Sequence, residues 1–139
     1  MDAKVDWNLL RYKAKESMRR AYCPYSNFPV GAAALVEDGK VVVGCNVENV
    51  SYGLGVCAEV TLVGSLHLGG GGRLVAISCV DARGELLMPC GRCRQVLLEH
   101  ATTELLIDHP SGARSLAALL PDSFGPHDLA AVREAGRQR

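Results

Sequence analysis

The sequence has 139 residues, 48% hydrophobic and 22% charged, with 15 basic and 15 acidic side chains. That length suits one domain, residues 1–139, whose core needs no disulfide staples, and the composition excludes a disordered chain. Zero formal net charge gives no support for a nucleic-acid surface. No apolar run reaches the ~20 residues that span a bilayer, and the polar opening Met1-Asp2-Ala3-Lys4-Val5-Asp6 is unlike a secretory leader. The expectation is a cytoplasmic protein acting on a small, near-neutral molecule, with no nucleic-acid or membrane partner.

Residues 4–21 have helical spacing, with Leu10, Ala14, Met18 and Ala21 on one stripe. Two prolines and Ser26-Asn27 make residues 22–29 a loop. Strand-like runs over 30–36 and 40–47 flank Glu37-Asp38-Gly39, a hairpin signal. An irregular loop over 48–56 leads to a helix over 57–68, ended by Gly69-Gly70-Gly71-Gly72. No Gly-Lys-Ser/Thr follows that run and it trails a helix, so it reads as a C-cap and connection, not a phosphate loop. A strand over 73–81, a helix from Pro89 to about His100, a strand over 104–108 and a short strand near 113–116 follow. The tail from Pro121 reads as loop or short helix. Strands alternating with helices imply parallel neighbours under a helical cover. The predicted fold is a three-layer α/β/α domain with one mixed, mostly five-stranded sheet.

Six cysteines stand at 23, 45, 57, 79, 90 and 93. In a reducing compartment such a set points to metal binding or catalysis before disulfides. Cys45 and Cys79 belong to apolar runs and read as small buried hydrophobes. Cys23 has no evident pair. Cys57-Ala58-Glu59 and Pro89-Cys90-Gly91-Arg92-Cys93 each fall at a predicted helix start. Cys90 and Cys93 are three apart, so a first helical turn aims both sulfurs at one point. Helix N-termini favour thiolate over thiol. Three soft sulfurs suit one zinc ion per chain, and three ligands leave a position open for water, as in a catalytic site. Glu59 can then face that water as the acid–base group. The four histidines, 67, 100, 109 and 127, are scattered and read as surface or helix-end residues.

A Cys or His two residues before Glu, followed by Pro-Cys-x-x-Cys, is the signature of zinc deaminases of nucleobases. More narrowly, the chain resembles the small homotetrameric cytidine deaminases of bacterial type. The likeness runs through Tyr25-Ser26-Asn27-Phe28-Pro29-Val30-Gly31-Ala32-Ala33, Asn46-Val47-Glu48-Asn49, both cysteine segments on to Arg94-Gln95-Val96, and Leu119-Leu120-Pro121-Asp122-Ser123-Phe124-Gly125. It implies a cytidine-deaminase-like fold, zinc on Cys57, Cys90 and Cys93, and Glu59 as the catalytic residue. It further implies that Phe28 stacks on the pyrimidine, that Asn46 and Glu48 bind the ribose, and that Ala58 contacts substrate. Tyr52 and Phe124 would complete a neighbouring subunit's pocket. Many family members carry Arg after the catalytic Glu, where this chain has Val60. Arg94, or else Arg92, is the candidate to offset the thiolate charge.

The implied reaction is hydrolysis of the amino group of cytidine or deoxycytidine. Blasticidin-S deaminase is a rival, since it resembles the chain around Cys90–Gln95 and also tends to lack that Arg. Deamination of a polynucleotide is disfavoured by the neutral charge. A zinc-stabilised interaction module is disfavoured by the three-ligand count and by Glu59.

Overall fold

The computed structural model describes residues 4–137. Met1, Asp2 and Ala3, part of the polar opening, lie outside the described residues. Helix α1, Trp7–Met18, starts where the Asp6 side chain accepts the Leu9 N–H at 3.0 Å. Leu10, Ala14 and Met18 form its buried stripe. The helix is shorter than the 4–21 expected from spacing, because the cap fixes its start and Arg19-Arg20 turn away before Ala21.

Strands β1, Gly31–Val36, and β2, Val41–Cys45, form the expected antiparallel hairpin. Asp38 accepts the Lys40 N–H at 3.1 Å inside the turn. A short 3-10 turn, Tyr52–Leu54, interrupts the following loop. Then come α2, Ala58–Leu68; β3, Leu74–Val80; α3, Gly91–His100; β4, Ala101–Ile107; and β5, Arg114–Ser115. The sheet order is β2-β1-β3-β4-β5. β3 and β4 run parallel across α3, and the other pairs are antiparallel. The mixed five-stranded sheet is thus as expected.

Helix α1 covers one face of the sheet, where Leu10, Ala14 and Met18 pack on Ala33, Ala76 and Val80. Helices α2 and α3 cover the other, where Leu62, Leu66 and Leu97 pack on Ala32, Ala34, Ile77 and Leu105. Each of those fully buried leucines contributes about 1.5–3 kcal/mol relative to exposure. Arg11 ties α1 to the end of β4 by donating from Nε and Nη2 to the buried Asp108 at 2.7 and 2.8 Å. Ser78 Oγ donates to the same carboxylate at 2.8 Å.

Three expectations need correction. The strand expected over 104–108 begins three residues earlier, directly after His100, because Ala101 already pairs with Leu74 of β3. A short helix α4, Leu116–Leu119, follows β5, and the tail from Pro121 holds a full helix α5, Pro126–Arg137, in place of loop or short helix. Pro126 fits a first helical position, and the Asp128 carboxylate accepts the Gly125 N–H at 2.9 Å, so the start is locally specified. Cys45 is half-buried and not a core residue, since it ends β2 at the sheet edge, whereas Cys79 is buried as expected.

Two glycines allow the helices to lie directly on the hairpin. A Cβ at Gly31 would stand 2.0 Å from Ala14 O, and one at Gly44 would stand 2.3 Å from Ala58 O and 2.5 Å from Leu62 N. The second contact seats the first turn of α2 on β2. Gly44→Ala should therefore lower stability by about 1–3 kcal/mol, read from the urea midpoint. Gly64→Ala, on the same helix with nothing within 4 Å of its Cβ, should be neutral or stabilising by about 0.5–1 kcal/mol. Equal effects of the two would remove the close approach as the reason for Gly44.

Candidate functional site

Cys57 is the N-cap of α2 and Cys90 the N-cap of α3, both in extended backbone, and neither side chain caps its own helix. Cys93 follows on the first turn of α3 and is buried. The three sulfurs lie within 4.8 Å of one another, with Cys57 and Cys90 Sγ 4.0 Å apart. Thiolates about 2.3 Å from a tetrahedral zinc stand about 3.8 Å apart, so the cluster fits that ion with small adjustment. No fourth His, Cys, Asp or Glu joins the cluster among the described residues. These three cysteines form a cluster that could hold such an ion.

Burial pushes the Cys57 thiol up, and the Cys90 charge adds to this. Burial pushes Cys93 much further up, with the Glu59 charge beside it. Cys90 moves down: burial opposes its ionisation, but the backbone N–H groups of Cys93 and Arg92 and the neighbouring thiols outweigh burial. Three thiolates this close repel one another, and a divalent cation is what lets all three ionise. Glu59 lies in the first turn of α2 and is only 4% exposed. Desolvation raises its pKa, so it takes up a proton more readily than an exposed carboxylate.

The end of β2 is locked to α2 by Thr61. Its hydroxyl accepts the Cys45 N–H at 3.0 Å and lies 2.7 Å from Cys45 O and 3.0 Å from Ala58 O. Beyond β2, Val47 exchanges backbone hydrogen bonds with Val56, at 3.0 and 2.9 Å, which brings Asn46 and Glu48 beside the chain entering Cys57. Both side chains hold the 25–30 loop. Asn46 donates to Phe28 O at 2.9 Å and accepts the Val30 N–H at 2.8 Å. Glu48 accepts the N–H groups of Tyr25 and Ser26 at 3.0 and 3.1 Å and the Ser26 hydroxyl. That hydroxyl contact, then the backbone N–H groups, holds Glu48 below the usual carboxylate range. Phe28 is 51% exposed, so it is not a core residue. Tyr52 and Phe124 are more exposed still, at 82% and 68%, and Ala58 is buried at the start of α2. A cavity of about 340 Å³ lies between Tyr25, Ser26, Glu48 and Tyr52.

A family profile described as the cytidine and deoxycytidylate deaminase zinc-binding region matches residues 6–108. This chain belongs to that family. It is 66% identical over 125 residues to a cytidine deaminase from Mycobacterium tuberculosis, covering 90% of this chain and 94% of that one. The crystal structure of cytidine deaminase from Mycobacterium tuberculosis superposes with a TM-score of 0.86 at 66% identity, covering 88% of this chain and 99% of that chain. That from Mycobacterium leprae gives a TM-score of 0.83 at 52% identity, covering 86% and 100%.

Within this deaminase family the departure at Val60 puts weight on the nearby cations. Val60 is half-buried and carries no charge. Arg94 donates from Nε to Pro89 O and from Nη1 to Leu119 O, both at 2.8 Å, and so fastens the segment before Cys90 to the end of α4. Arg92 is exposed at the start of α3. Sequence reasoning missed Thr61 and Ser26, whose hydroxyls brace the site. It also missed Gln95, whose side chain donates to Phe124 O at 2.7 Å and so tethers the segment carrying Phe124 to α3. Ser26 and Gln95 lie inside the motif segments, which was the available signal; Thr61 lies just beyond Cys57-Ala58-Glu59 and had none.

Elemental analysis should find about one zinc per chain, falling to background when Cys57, Cys90 and Cys93 are all changed to Ala. Zinc retained by that triple variant would place the ion elsewhere. Arg94→Gln should lose zinc or activity more readily than Arg92→Gln, because only Arg94 holds the Cys90 segment. Equal and negligible losses would assign the charge compensation to the helix-start N–H groups alone.

Proposed function

We propose that this chain catalyses the hydrolytic deamination of cytidine and 2′-deoxycytidine to uridine and 2′-deoxyuridine plus ammonia, in pyrimidine salvage. The observation that carries this reading is the buried Glu59 carboxylate, set in the first turn of a helix whose cap is one of three converging cysteines. Cys57, Cys90 and Cys93 would hold a zinc ion, which would supply Lewis acidity that makes water a competent nucleophile near neutral pH. Glu59 takes a proton from that water and delivers it to the ring nitrogen. The water oxygen bonds to C4. Glu59 then takes the second proton, from the new C4 hydroxyl, and passes it to the amino group; the C4–N bond breaks as C4=O forms, and ammonia leaves. The dry surroundings of Glu59 raise its pKa, so it accepts the proton from water more readily than an exposed carboxylate would.

In this reading Phe28 stacks on the pyrimidine and Ala58 offers its backbone to the substrate. Asn46 and Glu48 reach one loop from the same side and can grip a sugar hydroxyl by donating and accepting. Glu48 already holds three donors and keeps lone-pair capacity for one more. A nucleoside site of this kind favours cytidine over free cytosine, since its polar groups are left unpaired without the sugar. The enzyme acts as a homotetramer of single-domain chains in the cytoplasm. Support for assembly comes from the exposed Val50, Tyr52, Leu54 and Phe124, a set that isolated chains seldom leave bare. No helix among the described residues is long and apolar enough to cross a membrane.

Glu59→Gln should keep fold and zinc but lose about 10²–10⁴-fold in kcat, measured by the absorbance change on deamination. Near-parental turnover would remove Glu59 from the acid–base role. Glu48→Ala should raise KM for deoxycytidine roughly ten- to a hundredfold, as loss of a charged hydrogen bond implies. Assays across cytidine, deoxycytidine, cytosine and blasticidin S should rank the two nucleosides first. A preference for cytosine or blasticidin S, or unchanged nucleoside kinetics in Glu48→Ala, would overturn the sugar-binding reading.

A further inference from the structure

Helices α2 and α3 meet at both ends. Their N-terminal ends carry the three cysteines, and their C-terminal ends carry a second pair of metal-ligating side chains. His67 lies in the last turn of α2, and His100 is the last residue of α3. His67 Nε2 and His100 Nδ1 are 3.0 Å apart, with the rings edge to face and their centroids separated by 4.9 Å. The pair borders a cavity of about 550 Å³ that Glu37, Glu99 and Arg73 also line. His67 is exposed and His100 half-buried, so the pair is open to solvent on one side.

Two nitrogens 3.0 Å apart, each about 2.0–2.1 Å from a shared ion, subtend roughly 90° at that ion. This is the cis angle of a tetragonal or octahedral field, whereas a tetrahedral ion needs them about 3.3 Å apart. Tetragonal nitrogen and oxygen sites suit Cu²⁺ and Ni²⁺. We propose that His67 and His100 form a second metal site, distinct from the cysteines, that binds Ni²⁺ or Cu²⁺ through Nε2 and Nδ1, with water filling the remaining positions.

The surroundings favour it. Burial, and then the His67 charge, push His100 below its ordinary pKa, which keeps the imidazole in the neutral form that ligates. Glu37 and Glu99 bring negative charge to the same cavity. The opposing cation, Arg73, is engaged by the backbone carbonyl of Glu99. Two helix-borne ligands already 3.0 Å apart lose little freedom on binding, the ion taking the place of the proton they share in a hydrogen bond, and an ion there staples the C-terminal ends of the two helices whose first turns carry the cysteines.

The test is calorimetric titration of the zinc-loaded enzyme with nickel chloride, with zinc content followed alongside. The expected result is about one nickel per chain, zinc retained, and a thermal midpoint raised by a few degrees. His67→Ala and His100→Ala should each weaken nickel binding roughly tenfold or more and abolish that shift, since one ligand of two is lost. His109→Ala and His127→Ala should bind as the parent does. Where either alanine variant unfolds early, His100→Gln takes its place with the thermal midpoint as the check on folding. Absence of nickel binding, binding unchanged in both variants, or zinc released in proportion to nickel bound would each overturn the proposal.

Discussion

Two helices begin at one point, and the chemistry of the molecule hangs on that convergence. Cys57 and Cys90 each stand at the residue where extended chain turns into helix, so each sulfur sits beside free backbone N–H groups at a positive helix end. Holding α2 and α3 with these starts 4.0 Å apart at sulfur demands that α2 lie directly on the hairpin. Gly44 permits the approach, and Thr61 fixes its register by matching both backbone groups of Cys45. A larger residue at Gly44 or an apolar one at Thr61 would act on the metal centre through the position of a whole helix, without touching a ligand.

The same register sets the substrate side. Because β2 ends at Cys45, the next three residues run along the entry to α2, and Asn46 and Glu48 both turn toward the 25–30 loop. They are engaged there before any sugar arrives. Three donors fix the Glu48 rotamer and keep it ionised, and Asn46 spans Phe28 and Val30. A carboxylate so held loses little entropy on accepting one more hydroxyl, which is the physical content of preorganisation. The loop that carries Phe28 and the groups proposed for the sugar therefore form one connected unit, and Ser26, bonded to Glu48 and to the Phe28 N–H at 3.0 Å, is its joint.

The features legible from the sequence were those encoded locally. Asp-Gly between apolar runs gave the hairpin, the glycine run gave the end of α2, and cysteines three apart at a helix start gave the metal cluster. Element ends were less legible, because pairing decides them: β4 starts at Ala101 only because Leu74 is there to receive it. The helix α5 was missed because none of its residues is buried, so no long apolar stripe announced it and only the Pro126–Asp128 start signal was present. Thr61 and Gly44 were unreadable for another reason. A hydroxyl or a missing Cβ acquires meaning only when a second element lies against it, and sequence spacing does not say which element will.

Val60 puts no cation at the position after Glu59, so charge at the cysteine cluster is balanced in other ways. Three thiolates on a divalent ion leave one formal negative charge, with the Glu59 carboxylate close by. Arg94 directs Nε and Nη1 at the carbonyls of Pro89 and Leu119. Its observed contribution is the anchoring of the Cys90 segment. What reaches Cys90 directly is the backbone N–H of Cys93 and Arg92, and that contact outweighs the burial opposing ionisation. Backbone donors do not tumble or titrate, and they come with the helix start itself. A chain that places two helix starts at its cysteine cluster has backbone donors there without a cation at position 60, where Val60 is half-buried.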